Sequence, residues 1–188
     1  MVTSLRRHFD SLFALEEDPW NYHSSWPERR RLDLLVAMLP QEHCGSIFEP
    51  ACANGSLTGR LASRGGRVVA WDGSPNAIAH ARRFLARHPH VELAEKSVPD
   101  HWPEMRFDLV VLSDFLYYLS RKSIIDVAIL AAQAVGSRGS IVGCHWRGSA
   151  HDFLVNGGDA VHAVLAEVLG APKMSYVDDR QLIDVWTR

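Results

Sequence analysis

Residues 47–58, Ile-Phe-Glu-Pro-Ala-Cys-Ala-Asn-Gly-Ser-Leu-Thr, constrain the fold of this chain more than any other stretch of its sequence. Two apolar residues lead to an acid at Glu49, a run of small residues follows, and an amphipathic segment begins at Leu57. This order is typical of a buried strand that turns through a nucleotide-binding loop into a helix. Small side chains let the backbone approach a ligand closely, and the start of a helix offers unpaired N–H groups. An ordinary strand–turn–helix, with small residues only for packing, is the alternative interpretation.

A second apolar run ends in an acid at Asp72, which lies 17 residues after Gly55. A carboxylate about 20 residues beyond such a loop is where the ribose hydroxyls of a nucleoside are held. No Arg or Lys directly follows Asp72, so nothing there indicates a 2′-phosphate. A dinucleotide fingerprint would have glycine at positions 51, 53 and 56, whereas this loop keeps only Gly55. The loop therefore argues against NAD as the ligand.

From residue 46 onward, short apolar runs alternate with helical stretches, which predicts an α/β fold with a parallel sheet. We expect strands near 46–50, 67–71, 91–95, 107–112 and 139–145, and helices near 56–64, 75–88, 120–135 and 159–169. The runs 174–177 and 182–186 predict a closing antiparallel hairpin, which brings the sheet to seven strands. Ser74 and Asp159 are predicted helix caps, and Gly136 and Gly170 are predicted stops.

Two amphipathic helices, near 4–15 and from 26 to about 39, are predicted ahead of the first strand. They form an N-terminal helical arm, residues 1–40, that is free to cover the site as a lid. The rest of the chain, residues 45–188, is the predicted Rossmann-like core. The sequence has no repeat, low-complexity tract or linker, so we predict a single domain over residues 1–188.

In an open α/β sheet, ligands bind beyond the carboxyl ends of the strands. This rule selects a set of candidate residues without any knowledge of family. After the first strand they are Glu49, Ala51, Ala53, Asn54 and Gly55, and after the second Asp72 and Gly73. After the third strand they are Lys96, Ser97 and Val98, after the fourth Ser113, Asp114 and Phe115 with the nearby Tyr117 and Tyr118, and after the fifth His145, Trp146 and Arg147.

The spacing Glu49-x-Ala51-x-Ala53-x-Gly55, followed by Asp72, resembles the first motif and the following acid of class I S-adenosylmethionine (SAM)-dependent methyltransferases. An ordered set of further segments resembles the nodulation protein S type of small N-methyltransferase, from about Phe9 to Trp186. The segments are Asp18-Pro19-Trp20, Ser25-Trp26, Pro99-Asp100-His101-Trp102-Pro103, Phe107-Asp108-Leu109-Val110-Val111-Leu112-Ser113, Tyr117-Tyr118-Leu119, Cys144-His145-Trp146-Arg147, Gly158-Asp159-Ala160-Val161-His162 and Asp184-Val185-Trp186. One departure is Ala51, where the family loop usually has glycine.

The resemblance implies a class I methyltransferase fold with SAM as cofactor and S-adenosylhomocysteine (SAH) as product. It implies that the loop 49–55 cradles the methionine part of SAM, that Asp72 holds the ribose, that Ser97 and Val98 flank the adenine, and that Ser113 meets the sulfonium side. Asp114, Tyr117, Tyr118 and His145 are the candidates for contact with the acceptor or its proton. Core packing is the alternative for the two tyrosines, and a satisfied buried histidine is the alternative for His145. For His162 we favour a structural role.

The predicted activity is methyl transfer to the nitrogen of a small amine, such as an amino sugar or a specialised metabolite. An O-methyltransferase that acts on a small hydroxyl or carboxyl group is one alternative, because its SAM half would look the same. A non-catalytic SAM-binding domain is the other alternative, since a methyl group at Ala51 would crowd the cofactor.

Composition and residue spacing limit the kinds of partner that the chain is expected to bind. A net charge of −2 and a pI near 6.5 give no reason to expect nucleic acid. Three cysteines without C-x-x-C spacing, no apolar leader and no long apolar segment predict a cytoplasmic protein without a membrane span. Monomer and homodimer both stay open. His145, His151, Asp152, Asp159 and His162 lack H-x-x-x-H or H-E-x-x-H spacing, so no metal is expected.

Overall fold

The computed structural model describes residues 2–188, with side chains from Leu5 onward. Seven strands form one sheet in the order β3-β2-β1-β4-β5-β7-β6, with parallel pairs in its first five strands and antiparallel pairs at its C-terminal end. This confirms the predicted fold class. Contacts within the chain group it into two compact units, residues 1–37 with 43–97 and residues 38–42 with 98–188.

The first unit contains the arm helices and the first three strands. Its elements are α1 (Val2–Leu15), α2 (Trp26–Ala37), β1 (Cys44–Pro50), α3 (Ser56–Ala62), β2 (Gly65–Asp72), α4 (Pro75–Phe84) and β3 (Val91–Glu95). β1 and β2 pair in parallel with Ile47 opposite Val68, and both of these side chains are completely buried. Continuous apolar runs such as Val68–Trp71 suit strands that are covered on both faces.

Helix α4 shows how local sequence sets the start of an element better than its end. The hydroxyl of Ser74 accepts a hydrogen bond from the N–H of Ala77 at 3.0 Å, and Pro75 occupies the first helical position, as predicted. The helix ends at Phe84 and not near residue 88. Pro89 disfavours helical backbone at the residue before it, and a turn closed by His88 N–H on the carbonyl of Leu85 fills the gap.

The second unit contains the last four strands. Its elements are β4 (Phe107–Ser113), a short 3₁₀ helix (Leu116–Tyr118), α5 (Arg121–Ala134), β5 (Val135–Trp146), α6 (Gly157–Leu169), β6 (Met174–Val177) and β7 (Gln181–Thr187). β4 and β5 are parallel with Val110 opposite Ile141, and β7 runs antiparallel to β5. α5 ends at Ala134, so the predicted stop at Gly136 lies directly after its C-cap residue, Val135, whose extended backbone opens β5.

Helix α6 begins at Gly157, with Asn156 at its cap position, so the predicted cap at Asp159 is wrong. The backbone of Gly157 has φ +78°, and a Cβ there would lie 2.6 Å from the carbonyl oxygen of Gly148. Only glycine meets both conditions, and this earlier start places Asp159 in the first turn. The predicted stop at Gly170 is confirmed, with φ +79° at the end of the helix.

Candidate functional site

The loop between β1 and α3 has the backbone of a ligand cradle. Ala51, Ala53 and Gly55 have positive φ values of 58°, 52° and 85°. Each left-handed residue turns the chain sharply, and N–H groups of the loop bond within the protein: that of Cys52 to the carbonyl of Trp71, that of Ala53 to Asp72 and that of Gly55 to the carbonyl of Cys52. Residue types without bulky side chains tolerate this path, because a left-handed residue has its Cβ close to the following carbonyl. The loop can therefore approach a ligand with its backbone.

The backbone of Ala51 is strained in this loop, and replacement by glycine is expected to relieve the strain. A left-handed alanine costs roughly 1–2 kcal/mol, and the greater freedom of glycine in the unfolded chain offsets part of the gain. We expect Ala51→Gly to raise the free energy of unfolding by up to about 1 kcal/mol and to leave SAH affinity equal or tighter. Denaturant unfolding and calorimetry measure both quantities. Ala79→Gly in the interior of α4 is the matched control and should lower stability by about 1 kcal/mol. Weaker SAH binding by Ala51→Gly would contradict the argument.

Asp72 lies at the carboxyl end of β2 and ties the two neighbouring loops together. Its Oδ2 accepts a hydrogen bond from the N–H of Ala53 at 2.9 Å, and its Oδ1 accepts one from the N–H of Ser74 at 2.8 Å. Burial raises the pKa of this carboxyl, although the backbone N–H groups counteract that rise. Each carboxylate oxygen has two lone pairs, so both can accept a further hydrogen bond from a ligand hydroxyl.

Gly73 and Ser97 lie side by side beyond β2 and β3. A Cβ at Gly73 would lie 2.5 Å from the Oγ of Ser97, so the absence of a side chain at this position allows the two loops to approach each other. Val98, the next predicted adenine neighbour, is buried and belongs to the second unit.

Glu49 is almost completely buried at the end of β1. Its Oε2 accepts a hydrogen bond from the hydroxyl of Thr58 at 2.7 Å. Burial raises the pKa of the Glu49 carboxyl to about 8; the bond from Thr58 opposes the rise, and the nearby charge of Asp72 adds to it. Burial likewise raises the pKa of the Cys52 thiol, as do the charges of the two acids. Glu49 is therefore a neutral carboxyl at pH 7 in the folded protein.

The N-terminal arm packs directly on the cradle through Asn54. The side-chain amide of Asn54 donates to the carbonyl of Glu17 at 3.1 Å and to Oδ1 of Asp18 at 3.2 Å, while its own Oδ1 accepts from the hydroxyl of Ser56 at 2.7 Å. Ser56 also contacts Nε2 of His23 at 3.2 Å. The side chain of Asn54, predicted as a cofactor contact, thus holds the arm to the loop.

A second arm contact lies over the turn after Asp72. Oδ1 of Asp10 in α1 accepts hydrogen bonds from the hydroxyl of Ser74 at 2.7 Å and from the N–H and amide of Asn76 at 3.1 and 3.0 Å. Sequence reasoning missed Asp10 and His23 as neighbours of the cradle. The segment Asp18-Pro19-Trp20 is part of the family resemblance, but nothing in the sequence near it predicts its contact with Asn54.

In the second unit, Asp114 follows β4 with a strained backbone of φ +52°. Its Oδ1 accepts hydrogen bonds from the N–H of Trp146 at 2.8 Å and from the hydroxyl of Tyr117 at 2.9 Å. Ser113, the last residue of β4, pairs with Cys144 in the neighbouring strand. The carboxylate is thereby fixed at the ends of β4 and β5, as the strand-end rule predicted.

Aromatic rings gather beside Asp114 into what we call the aromatic cluster, Tyr117, Tyr118, Phe153 and Trp146. Tyr117 stacks on Phe153 with ring centroids 3.9 Å apart, and Tyr118 and Trp146 present edge contacts to Phe153 at 5.1 and 6.2 Å. Burial, then the charges of Asp152 and Asp114, raise the pKa of the Tyr118 hydroxyl. Phe153 lies in the loop before α6, and its part in the cluster was not predicted.

His145 is completely buried and takes part in a chain of polar contacts. Its Nδ1 lies 3.0 Å from Nε2 of His162, and Nδ1 of His162 lies 2.7 Å from Oδ2 of Asp184. The ring of His145 also makes an edge contact with Tyr117 at 5.6 Å. β5, α6 and β7 each contribute one member, so tertiary packing brings together two histidines that are 17 positions apart in the sequence.

Among residues 2–188, no group of three or more histidine, cysteine or acidic side chains is arranged to hold a metal ion. Of the five residues considered for a metal site, His145 and His162 contact each other, and Asp159 forms an ion pair with Arg147 at 3.0 Å. No helix in the described part of the chain is long and apolar enough to cross a membrane. The three cysteines are buried thiols.

The sheet order, with its C-terminal hairpin and the loop and acid at the ends of β1 and β2, defines the class I methyltransferase fold. Within that class the sequence is matched over residues 5–180 by the model of the family Nodulation protein S (NodS). The chain belongs to the nodulation protein S family.

Individual relatives agree with this assignment. Nodulation protein S of Rhizobium tropici is 32% identical in an alignment of 163 positions that covers 81% of this chain and 66% of that protein. The chain therefore spans about two thirds of the length of that relative. A crystal structure from Pseudomonas syringae shares 38% identity, with a TM-score of 0.77 over 87% of this chain and 100% of that chain. The N-methyltransferase NodS from Bradyrhizobium japonicum WM9, solved in complex with S-adenosyl-L-homocysteine, has 22% identity and a TM-score of 0.80 over 97% of both chains.

Proposed function

We propose that this chain is an enzyme that transfers the methyl group of SAM to the nitrogen of a small amine and releases SAH. Membership of the nodulation protein S family supports the methyl-transfer half of this proposal. The Bradyrhizobium NodS, an N-methyltransferase crystallised with SAH, has the same fold. The observation that supports an amine as the acceptor is that the carboxylate of Asp114 lies beside a cluster of four aromatic rings.

Three features of the first unit support the binding of SAM. Asp72 keeps lone pairs for two ribose hydroxyls while its backbone partners hold it in position. The left-handed residues Ala51, Ala53 and Gly55 allow close approach of the backbone to the methionine part. Gly73 and Ser97 lie where the adenine is expected. SAM, when bound, supplies an electrophilic methyl group on a sulfonium.

The acceptor half of the proposal rests on the second unit. The faces of aromatic rings attract a positive centre, and a nearby carboxylate adds a coulombic attraction. Tyr117, Tyr118 and Phe153 provide the rings, and Asp114 provides the carboxylate. This combination suits an ammonium group on a small acceptor better than a hydroxyl group, which carries no charge for either feature to attract.

An amine attacks a methyl group only in its neutral form, so the acceptor must lose a proton. Asp114 orients the amine and accepts its proton. His145 is completely buried and acts on the cluster through its contact with Tyr117. Most of the remaining barrier reduction comes from alignment, because methyl transfer needs an in-line nucleophile held at about 3–3.5 Å. Tyr117, bonded to Asp114 through its hydroxyl, contributes to this alignment.

Release of SAH with small amino sugars and simple amines, against matched hydroxyl analogues, tests the proposal. We expect turnover of amines, at a rate that rises with pH as the amine deprotonates and then levels off. Asp114→Asn should lower kcat/KM for amines by about tenfold or more, since it removes a charged hydrogen-bonding partner. Asp126→Asn on the exposed face of α5 makes the same chemical change away from the cluster and should have no effect.

Two outcomes would contradict the proposal. Turnover of hydroxyl compounds with none of the amines would replace N-methylation with O-methylation. SAH binding without turnover of any acceptor would instead indicate a SAM-binding domain without catalysis.

A further inference from the structure

The contacts between His145, His162 and Asp184 run from β7 through α6 to β5 and reach the aromatic cluster. All three residues are buried, with side-chain separations of 3.0 and 2.7 Å. The last member, His145, packs edge-on against Tyr117, whose hydroxyl donates to Asp114. A continuous series of contacts therefore links a buried carboxylate on β7 to the carboxylate that we assign to the acceptor.

The chemistry of the three groups determines where the protons lie. Burial opposes ionisation of Asp184, but hydrogen bonds from His162 and Ser175 outweigh it and hold the pKa of Asp184 below its usual range. An ionised carboxylate only accepts hydrogen bonds, so Nδ1 of His162 carries a proton and donates it. Nδ1 of His145 and Nε2 of His162 lie 3.0 Å apart and share one proton; the arrangement that keeps both rings uncharged places it on Nδ1 of His145, which then donates to Nε2 of His162. In this arrangement the lone pair of His145 is on Nε2.

We propose that His162 and Asp184 are positioning residues that hold His145 neutral, with its proton on Nδ1, against Tyr117. The inference rests on the proposed N-methyltransferase function, because its consequence concerns an acceptor amine. A neutral His145 adds no positive charge beside Asp114, so the cluster keeps its attraction for an ammonium group. A fixed His145 ring also restricts Tyr117, and through the Tyr117 hydroxyl it restricts Asp114.

Two measurements test the inference, and the first needs no substrate. Long-range ¹H–¹⁵N spectra of the full chain labelled at histidine report which ring nitrogen carries the proton. Signals are assigned with His145→Gln and His162→Gln. We expect the wild-type protein to show His145 protonated on Nδ1 with an unprotonated Nε2. A wild-type His145 with its proton on Nε2, or a doubly protonated His145 at neutral pH, would overturn the proposal.

The second measurement is steady-state kinetics of Asp184→Asn. The asparagine can donate as well as accept, so the proton positions along the chain are no longer determined, and we expect a mixture of His145 tautomers. The kcat for amines should fall by roughly 10- to 100-fold, as for a misplacement of reacting groups by a fraction of an ångström to about 1 Å. SAH affinity should stay the same within about twofold, because none of the three residues belongs to the cradle.

Asp126→Asn, the same substitution in the same unit, is the control and should keep both the tautomer and kcat. A folded Asp184→Asn variant with wild-type tautomer and wild-type kcat would refute the positioning role. If Asp184→Asn fails to fold, the wild-type spectra still decide the matter. If the wild-type protein methylates no amine, the proposed function fails. The tautomer measurement does not depend on turnover, so it still tests the proton positions of His145 and His162.

Discussion

The free energy of unfolding of this protein is expected to fall as the pH rises from about 5 to about 8, and Glu49→Gln should remove most of that fall. The folded-state pKa of Glu49 is raised from 4.5 to about 8, so the folded protein binds a proton here that the unfolded chain has released. Stability from this proton is complete below the unfolded pKa and is lost as the pH rises through the folded one. The loss for one group is on the order of 3 kcal/mol over this range.

Denaturant unfolding of both proteins at a series of pH values measures the effect. The amide that Glu49→Gln introduces stays neutral and can still accept from Thr58, so the variant should match the wild type near pH 5 and exceed it near pH 8. Asp72, whose pKa is also raised, contributes to both proteins, and the difference between the two curves removes its effect.

Glu92→Gln is the matched control, since Glu92 is exposed beside Arg67 and its pKa is lowered. It is already ionised above pH 5, so its substitution should leave the slope unchanged. A constant difference in stability between Glu49→Gln and the wild type from pH 5 to pH 8 would show that Glu49 is ionised throughout.

Replacement of Asp72 by alanine is expected to weaken SAH binding by roughly 10- to 150-fold, which corresponds to a charged hydrogen bond of about 1.5–3 kcal/mol. The same change leaves the N–H groups of Ala53 and Ser74 without their carboxylate partner. Each such loss costs about 1–3 kcal/mol, so we also expect a lower melting temperature. The lower affinity and the lower melting temperature have one cause, because the carboxylate that is expected to bind the ribose also holds the two loops of the cofactor site in place.

Calorimetric titration of SAH into folded protein separates affinity from stability. Asp72→Asn keeps one acceptor oxygen and should show an intermediate loss of affinity, whereas Glu92→Gln on the next strand should show none. Unchanged affinity in a folded Asp72→Ala variant would remove this carboxylate from the cofactor site.

Much of the fold was predictable because local pattern carries it. Val68–Trp71 and Phe107–Ser113 have the pattern of strands buried on both faces, and both are strands in the structure. Local backbone chemistry also predicted the start of α4 at Ser74 and Pro75 and the end of α6 at Gly170, and the structure has both. The failure at Asp159 has a tertiary reason. The close approach of Gly157 to the carbonyl oxygen of Gly148 decides where α6 begins.

The roles assigned to the site residues stay predictions, although the structure refines several of them. Asn54 was chosen for the cofactor, yet its side chain bonds to Glu17 and Asp18. His162 was expected to be structural, and it lies between His145 and Asp184. Spacing along the chain carries no information about either contact.

By itself the sequence determined the α/β alternation, the small-residue loop after β1 and the acids at strand ends, because strand and helix periods and the strand-end rule act over short segments. Tertiary structure alone decided the left-handed backbone of Ala51, the docking of Asp18 on Asn54 and the meeting of His145, His162 and Asp184. These features join residues that are between 17 and 39 positions apart, or depend on a backbone strain that only surrounding packing can maintain. Sequence pattern places each residue on its element, and the packing of elements determines which side chains then touch.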